Sequence, residues 1–285
     1  MATKRTSIKR LELRNKLILI GILLLIGFAI YLLIQISRTA MEEKFKDQRV
    51  TVQYTYKEAL KRQMNADAVA SDGTSWHDAT LKDVERYLNP DSFYHHAEQK
   101  YQFLNLRKSQ NISADKLNLL LKGKGILENQ GQAFHDAARE ADVNEIYLIS
   151  HALLETGKGR SELAKGIKVN GKGKIDSQGT PYYNFYGVGA YDHAPVAEGA
   201  RYAQQQNWDT PEKAIQGGAQ FIADEYLSRE NQYTLYTMRF NPVDPGRHQY
   251  ATDVMWAHHN ARQMAQYYRQ LGIEGQFFTR HYYKK

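Results

Sequence analysis

Residues 144–166 read NEIYLISHALLETGKGRSELAKG. Asn144 is a good N-cap, and Ile146, Tyr147, Leu148, Ile149, Ala152, Leu153 and Leu154 fall around nearly the whole circumference. That pattern predicts a helix buried on most sides. Gly157 suits the left-handed conformation that closes a helix, and Glu155 stands beside it in the last turn. There the negative end of the helix dipole and apolar surroundings both disfavour a carboxylate, so its pKa is expected to rise. A carboxylic acid that keeps its proton near neutral pH can protonate a leaving oxygen, as a glycosidase acid must. Gly157 and Gly159 carry no side chains, so a bulky chain could come close. The plainer alternative is a glutamate paired with Lys158 or Arg160 at an exposed helix end, since structural ion-pair networks also perturb carboxylates.

The 285 residues suffice for one large domain or two ordinary ones. The net charge of +7 is unevenly spread, because residues 1–16 hold six basic residues against Glu12 alone. The rest of the chain is close to neutral, so the basic balance argues little for a nucleic-acid partner. Residues 17–36, LILIGILLLIGFAIYLLIQI, carry no charge. At 1.5 Å per residue they span about 30 Å, the thickness of a bilayer core. A cleaved signal usually has an apolar region of only about 7–15 residues, and Arg38 spoils the one small-residue site at Ala40. The segment is therefore expected to stay as a single-pass membrane anchor. Its basic flank should lie in the cytoplasm and the remainder outside. Cysteine is absent, which excludes thiol catalysis and Cys-based zinc.

Four regions are expected on this basis: a cytoplasmic tail (1–16), a transmembrane helix (17–36), a polar stalk (37–49) and an extracellular domain (50–285). Within the domain, residues 50–56 alternate as a strand does, and 57–64 look helical. Residues 66–76 read as a loop, and 80–88 as a short helix stopped by Asn89-Pro90. Helices are expected over 114–121 behind Ser113, over 131–141, over 195–206, over 211–227 behind Thr210, and from a Thr252 cap to Gln270. Residues 168–180 contain an Asn-Gly turn between short extended runs and read as a hairpin lobe. Residues 232–245 read as irregular. The class is mainly α, with a small β lobe.

Eleven of the 20 tyrosines lie between Tyr182 and Tyr268. Flat rings with polar edges bind sugar faces, although most single rings fill cores. The turn-rich stretch YYNFYG, with Tyr183, Asn184, Phe185, Tyr186 and Gly187, is the candidate binding wall; Trp208 and Trp256 read as partly core. Neither His95-His96 nor His258-His259 can chelate alone, since adjacent helical residues diverge. HExxH, finger and EF-hand patterns are missing, and Gly171-Lys172-Gly173 lacks phosphate-loop spacing. Neither a metal nor another cofactor is expected, and His151, one turn before Glu155, reads as a packing or hydrogen-bonding neighbour.

Five ordered blocks, ETGKGRSELAKG, YYNFYGVGAYD, NWDTPEKAIQGGAQFI, QYTLYTMRFNP and PGRHQYATDVMWA, resemble bacterial endo-β-N-acetylglucosaminidases of glycoside hydrolase family 73. The likeness covers about residues 50–285 and is strongest to glucosaminidase domains of staphylococcal autolysins, here with an anchor. It implies a lysozyme-like fold with a groove between an α lobe and a small β lobe. It also implies hydrolysis of the β-1,4 bond between N-acetylglucosamine and N-acetylmuramic acid in peptidoglycan. Glu155 matches the family's acid, and Tyr250 a tyrosine lining the groove. Asn184 to Gly187 match the block that faces it; Tyr183, Gln232 and Tyr236 join the expected sugar-binding residues. Some relatives place a second acid in the β lobe, where this chain has YYNFYGVGA; Asp176 and Asp192 merely flank it. A wall-binding scaffold and a lytic transglycosylase are the rival readings, with a zinc amidase behind them. Gly21, Gly27, Ala29, Tyr31 and Gln35 also make a multi-span membrane protein a candidate partner of the anchor.

Overall fold

The computed structural model describes residues 2–45, 47–190 and 194–285, and side chains at 15–36 and from 47 onward. The chain forms two compact units, the first ending at Asp47 and the second running over Gln48–Lys285. The first is a single helix, α1 (Ala2–Phe45), whose apolar stretch Asn15–Ile36 has a mean hydropathy of 3.1. A helical stretch of 22 residues is about 33 Å long, enough to cross a bilayer. Over the expected polar stalk, 37–49, helix continues to Phe45 and strand begins at Asp47. Its polar, mixed-charge composition marked the end of the apolar run without breaking the helical backbone.

In the second unit β1 (Asp47–Thr55) leads into α2 (Tyr56–Met64). The junction is a reciprocal cap: Glu58 N donates to Thr55 Oγ1 at 3.3 Å, and Thr55 N to the Glu58 carboxylate at 2.8 Å. The expected loop at 66–76 contains a hairpin, β2 (Val69–Ser71) and β3 (Trp76–Asp78). Its turn is closed by Asp72, which accepts from the amides of Thr74 and Ser75 at 2.8 Å each, a local turn chemistry that masks short strands. Helix α3 (Leu81–Leu88) starts at a second capping box, Thr80 with Asp83. Helices α4 (Ala114–Leu121) and α5 (Gly131–Ala141) follow, and Asp142 ends α5 in the left-handed region.

Helix α6 (Glu145–Glu155) runs through the middle of the core. Ile146, Leu148, Ile149 and Ala152 are fully buried, and Tyr147 and Leu153 nearly so. Each large apolar side chain removed from water in this way contributes about 1.5–3 kcal/mol. Asn144 caps the helix by accepting from Tyr147 N at 3.0 Å, and its amide donates to the Tyr268 hydroxyl at 2.9 Å. That second bond ties the start of α6 to the last helix.

Beyond α6 come α7 (Glu162–Lys165) and the antiparallel pair β4 (Ile167–Val169) and β5 (Thr180–Tyr182), paired Ile167 to Tyr182 and Val169 to Thr180. This is the small β lobe. Helices α8 (Pro195–Gln205) and α9 (Pro211–Phe221) follow, and α9 passes into one wide turn over Ile222–Leu227. The stretch 232–245, expected to be irregular, contains α10 (Leu235–Phe240), opened by a Thr234–Thr237 capping box and closed at left-handed Asn241. Its single short turn carries too few apolar repeats to stand out in sequence. Helix α11 (Trp256–Gln270) begins later than a Thr252 cap would place it; Asp253 instead accepts from Met255 N at 2.8 Å. The chain ends in β6 (Phe278–Lys284), which pairs with β1 and had no counterpart in the sequence reading.

Two adjacent glycines on α9 set the packing behind the site. A Cβ on Gly217 would lie 2.0 Å from Trp208 Nε1, and one on Gly218 would lie 2.1 Å from Tyr186 Cδ2. Tyr186 is itself wedged edge-on against His151, with ring centroids 5.6 Å apart, so it cannot retreat. Gly218→Ala should therefore lower stability by a net ~1–2 kcal/mol, because an overpacking cost of ~1–3 kcal/mol exceeds the helix-propensity gain of under ~1 kcal/mol. Urea denaturation of the two proteins checks this.

Candidate active site

Helix α6 carries a glutamate at each end, and the two meet opposite environments. Glu145, in the first turn, is fully buried yet satisfied. It accepts from Ser109 Oγ at 2.7 Å, Gln110 N at 2.8 Å and Ile112 N at 3.3 Å. Glu155, the last helical residue, has among the described residues only His151 Nε2 at 3.7 Å, too long for a hydrogen bond. Burial lowers the His151 pKa to about 4, so the ring is neutral at working pH and brings no compensating charge. Partial burial of Glu155 raises its carboxyl pKa. The alternative pairing with Lys158 or Arg160 does not form; Arg160 donates instead to Gly123 O at 3.2 Å.

The turn after Glu155 is built by the cap residue, Thr156, buried at 1% exposure. Its hydroxyl donates to Ala152 O and accepts from Gly159 N at 2.7 Å. Gly157 is open, as a close-approach position should be. Gly159 faces inward, where a Cβ would lie 2.1 Å from Lys124 O.

Glu155 lines a cavity of about 130 Å³ with Tyr147, His151, Tyr250, Trp256 and Asn260, and among the described residues it is the one carboxylate in that lining. Tyr250 stands between Tyr226 and Trp256, with centroids 5.6 and 4.8 Å away. Its ring is 41% exposed. Burial, then Tyr226 and Glu155, push its phenol up to about 12, so it stays a hydrogen-bond donor. The loop holding it is pinned from below. Tyr250 N donates to Met238 O at 2.9 Å, and the buried Arg239 donates to Asp253 O at 2.7 Å and Thr252 O at 2.9 Å. Arg239 sits on α10, so its part in the site was hidden along with that helix.

From the other side comes Gly187, at φ +66, where an added Cβ would lie 3.5 Å from Glu155 Oε2. The YYNFYG block therefore faces the acid through glycine backbone. Asn184 is buried and spends both ends of its amide on that loop. It donates to Val188 O at 2.8 Å and Gly199 O at 3.2 Å, and accepts from the amides of Tyr186 and Val188. Phe185 is fully buried and Tyr186 almost so; Tyr183 is half-buried and packs on Gly166. Asn184, Phe185 and Tyr186 thus shape the wall from behind. Gln232 and Tyr236 also belong to the interior: Gln232 donates to His248 O at 2.5 Å, and Tyr236 to Leu88 O at 2.8 Å. Their blocks stood close to the site in sequence, but which face of a short helix turns inward is a tertiary matter. Tyr147, Ser150, Trp256, Asn260 and Met264 line the cavity without having been singled out as ligands. Steps of four residues, Tyr147, His151 and Glu155 on α6 and Trp256, Asn260 and Met264 on α11, are the signal that could have grouped most of them.

Of the two acids considered as a second group, Asp176 closes the β4–β5 loop, accepting from Gln178 N at 3.0 Å and Asn170 Nδ2 at 3.2 Å. Those bonds lower its pKa. Asp192 lies outside the described residues.

A desolvated carboxyl at a helix C-terminus, beside aromatic rings, between a helical body and a small β hairpin, is the arrangement of lysozyme-like glycoside hydrolases. Comparison with known proteins agrees. A family model described as glucosaminidase, mannosyl-glycoprotein endo-β-N-acetylglucosaminidase, matches residues 131–269. The bifunctional autolysin of Staphylococcus aureus is 50% identical over 209 residues, 73% of this chain but only 17% of the autolysin. The solved S. aureus glucosaminidase B superposes with a TM-score of 0.75 at 42% identity, covering 84% of this chain and 94% of that one. A catalytic glutamate-to-alanine mutant of S. aureus autolysin E, solved with the disaccharide NAG-NAM, superposes with a TM-score of 0.61 at 39% identity, covering 82% and 99%. The chain belongs to the glucosaminidase family.

Because the folded-state pKa of Glu155 is raised, the native protein binds a proton more readily than the unfolded chain. Its contribution is favourable below the unfolded carboxyl pKa and is lost as pH rises through the folded one. Glu155→Gln should therefore melt at or above the wild-type temperature at pH 7, with the advantage vanishing below about pH 4. Melting curves at the two pH values measure it.

Proposed function

We propose that this protein hydrolyses peptidoglycan, cutting the β-1,4 bond between N-acetylglucosamine and N-acetylmuramic acid with Glu155 as general acid. The observation that carries the reading is the Glu155 carboxyl itself, raised in pKa inside an aromatic-walled cavity and facing glycine backbone. The autolysin E complex with NAG-NAM supports the substrate class. Glu155 gives its proton to the glycosidic oxygen as the C1–O bond breaks. An inverting enzyme would need a carboxylate base about 6.5–9.5 Å from the acid. Among the described residues Glu155 is the one carboxylate in the lining, and in this reading the substrate's 2-acetamido oxygen attacks C1 while the Tyr250 phenol orients that group by donating a hydrogen bond to it. Water then opens the oxazolinium, returning a proton to Glu155. Glu155→Gln should cost about 10²–10⁴ in rate on purified peptidoglycan with the fold intact. Asp176→Asn and Asp192→Asn should each leave the rate within about threefold; a loss in either as full as that of Glu155→Gln would favour a carboxylate base. Mass spectrometry should find reducing N-acetylglucosamine ends, whereas anhydro-muramic ends would mean a lytic transglycosylase.

The apolar part of α1 serves in this reading as a single-pass anchor, with the basic tail in the cytoplasm and the domain outside. Residues 37–45 are helical and so advance the chain by about 14 Å. Such a short link confines cutting to glycan near the membrane, where strands are newly made, and the enzyme sets their length. Gly21, Gly27, Tyr31 and Gln35 suit packing against a multi-span membrane protein. Deleting the protein should lengthen glycan strands, and a secreted form lacking residues 1–40 should fail to restore them at equal expression. Full restoration by the soluble form would remove membrane confinement from the account.

A further inference from the structure

Next to the catalytic cavity lies a larger groove of about 520 Å³, and the two share Ser150, Leu154 and Asn260 in their walls. Lys158 lines one side of it, and His259, Gln263 and Tyr267 of α11 the other. Among the described residues no carboxylate lines it. The Lys158 side chain is exposed, and its ammonium has neither ion pair nor hydrogen bond among the described residues. Leu154, on the ridge between the two cavities, is 72% exposed, unlike the other apolar residues of α6.

The backbone at Lys158 is also informative. Gly157, Lys158 and Gly159 have φ of 54°, 63° and 76°, so all three are left-handed. Glycine would suit the middle position as well as its neighbours, whereas a long side chain costs about 1–2 kcal/mol there. The conformation is held by Lys158 N donating to Leu153 O at 2.8 Å. The strain therefore fixes the direction in which a cation leaves the helix end, one turn beyond Glu155.

We propose that this groove is the leaving-group subsite and takes the N-acetylmuramic acid side of the cut, with Lys158 pairing a carboxylate on the lactyl-peptide arm of that sugar. The inference rests on the hydrolase reading above. Of the two sugars only the muramyl one carries an acidic arm, so a groove with an unpaired cation and no carboxylate distinguishes them by charge. Leu154 meets the apolar face of the ring, and its exposure ends when sugar covers it. Lys158 is a specificity residue, leaving proton transfer to Glu155.

The test uses Lys158→Gly, which removes the charge and relieves the backbone, and Lys158→Arg, which keeps the charge. Each is assayed beside wild type on intact peptidoglycan, on peptidoglycan whose carboxyls have been amidated, and on glycan stripped of peptide, which bears free lactyl carboxylates. Lys158→Gly should raise KM about three- to fivefold on intact material with kcat kept, the scale of a partly exposed charge pair. It should match wild type on the amidated substrate, and Lys158→Arg should rescue. In intact material the lactyl carboxyl is amide-bound, so a KM effect there belongs to a peptide carboxylate, and an effect on stripped glycan shows that Lys158 also takes the freed lactyl carboxylate. Equal KM values for Lys158→Gly and wild type on intact and stripped substrates would overturn the inference and leave the hydrolase reading standing. Failure of wild type to cut any of the three would overturn both.

Discussion

The site depends on the asymmetry of one buried helix. Helix α6 is held by its apolar residues, which bury the glutamate at its start fully and the one at its end in part. At the N-terminus three donors and the positive end of the dipole meet Glu145. At the C-terminus Glu155 meets the negative end, a neutral histidine and a glycine backbone. The cost of leaving that carboxylate unsatisfied is carried by the packing of the rest of the helix, and the result is a group that keeps its proton where most glutamates lose theirs.

The surrounding walls are made by residues that never reach the cavity. Asn184 folds the YYNFYG loop so that Gly187 can abut the acid, and Gly218 admits the Tyr186 ring that backs His151. Arg239, buried and bonded to two carbonyls, clamps the loop that presents Tyr250. Reactive and supporting residues are thus drawn from different parts of the chain, which lets the exposed ring of Tyr250 remain positioned although it lies on a loop.

The groove beside Glu155 extends the same logic to recognition. A cation in a left-handed turn, a ridge leucine out of the core and a wall without acids share an edge with the catalytic cavity. An acid that must keep its proton is best served when the nearest cation points away from it. Lys158 points into the groove and makes no ion pair with Glu155.

Some of this was legible in the amino-acid order alone. The all-round apolar pattern of residues 146–154 determined a buried helix, its last turn placed Glu155 against the dipole, and the uncharged run 17–36 determined a helix long enough to cross a bilayer. These are local signals, carried by periodicity and end residues. Five blocks of likeness supplied the family and pointed to Tyr250 and Gly187, both of which flank the acid. What lay beyond local signals was decided by tertiary packing. Asn184, Gln232 and Tyr236 are expected as sugar ligands through the resemblance, yet their polar atoms are consumed by backbone and side-chain partners inside the fold. Helix α10 is one short turn stabilised by the loop it clamps, and β6 exists because β1, more than 220 residues earlier, offers an edge. A side chain's type follows from the sequence, but whether its polar atoms face a partner or a cavity depends on contacts between distant segments, and those form only when the whole chain is packed.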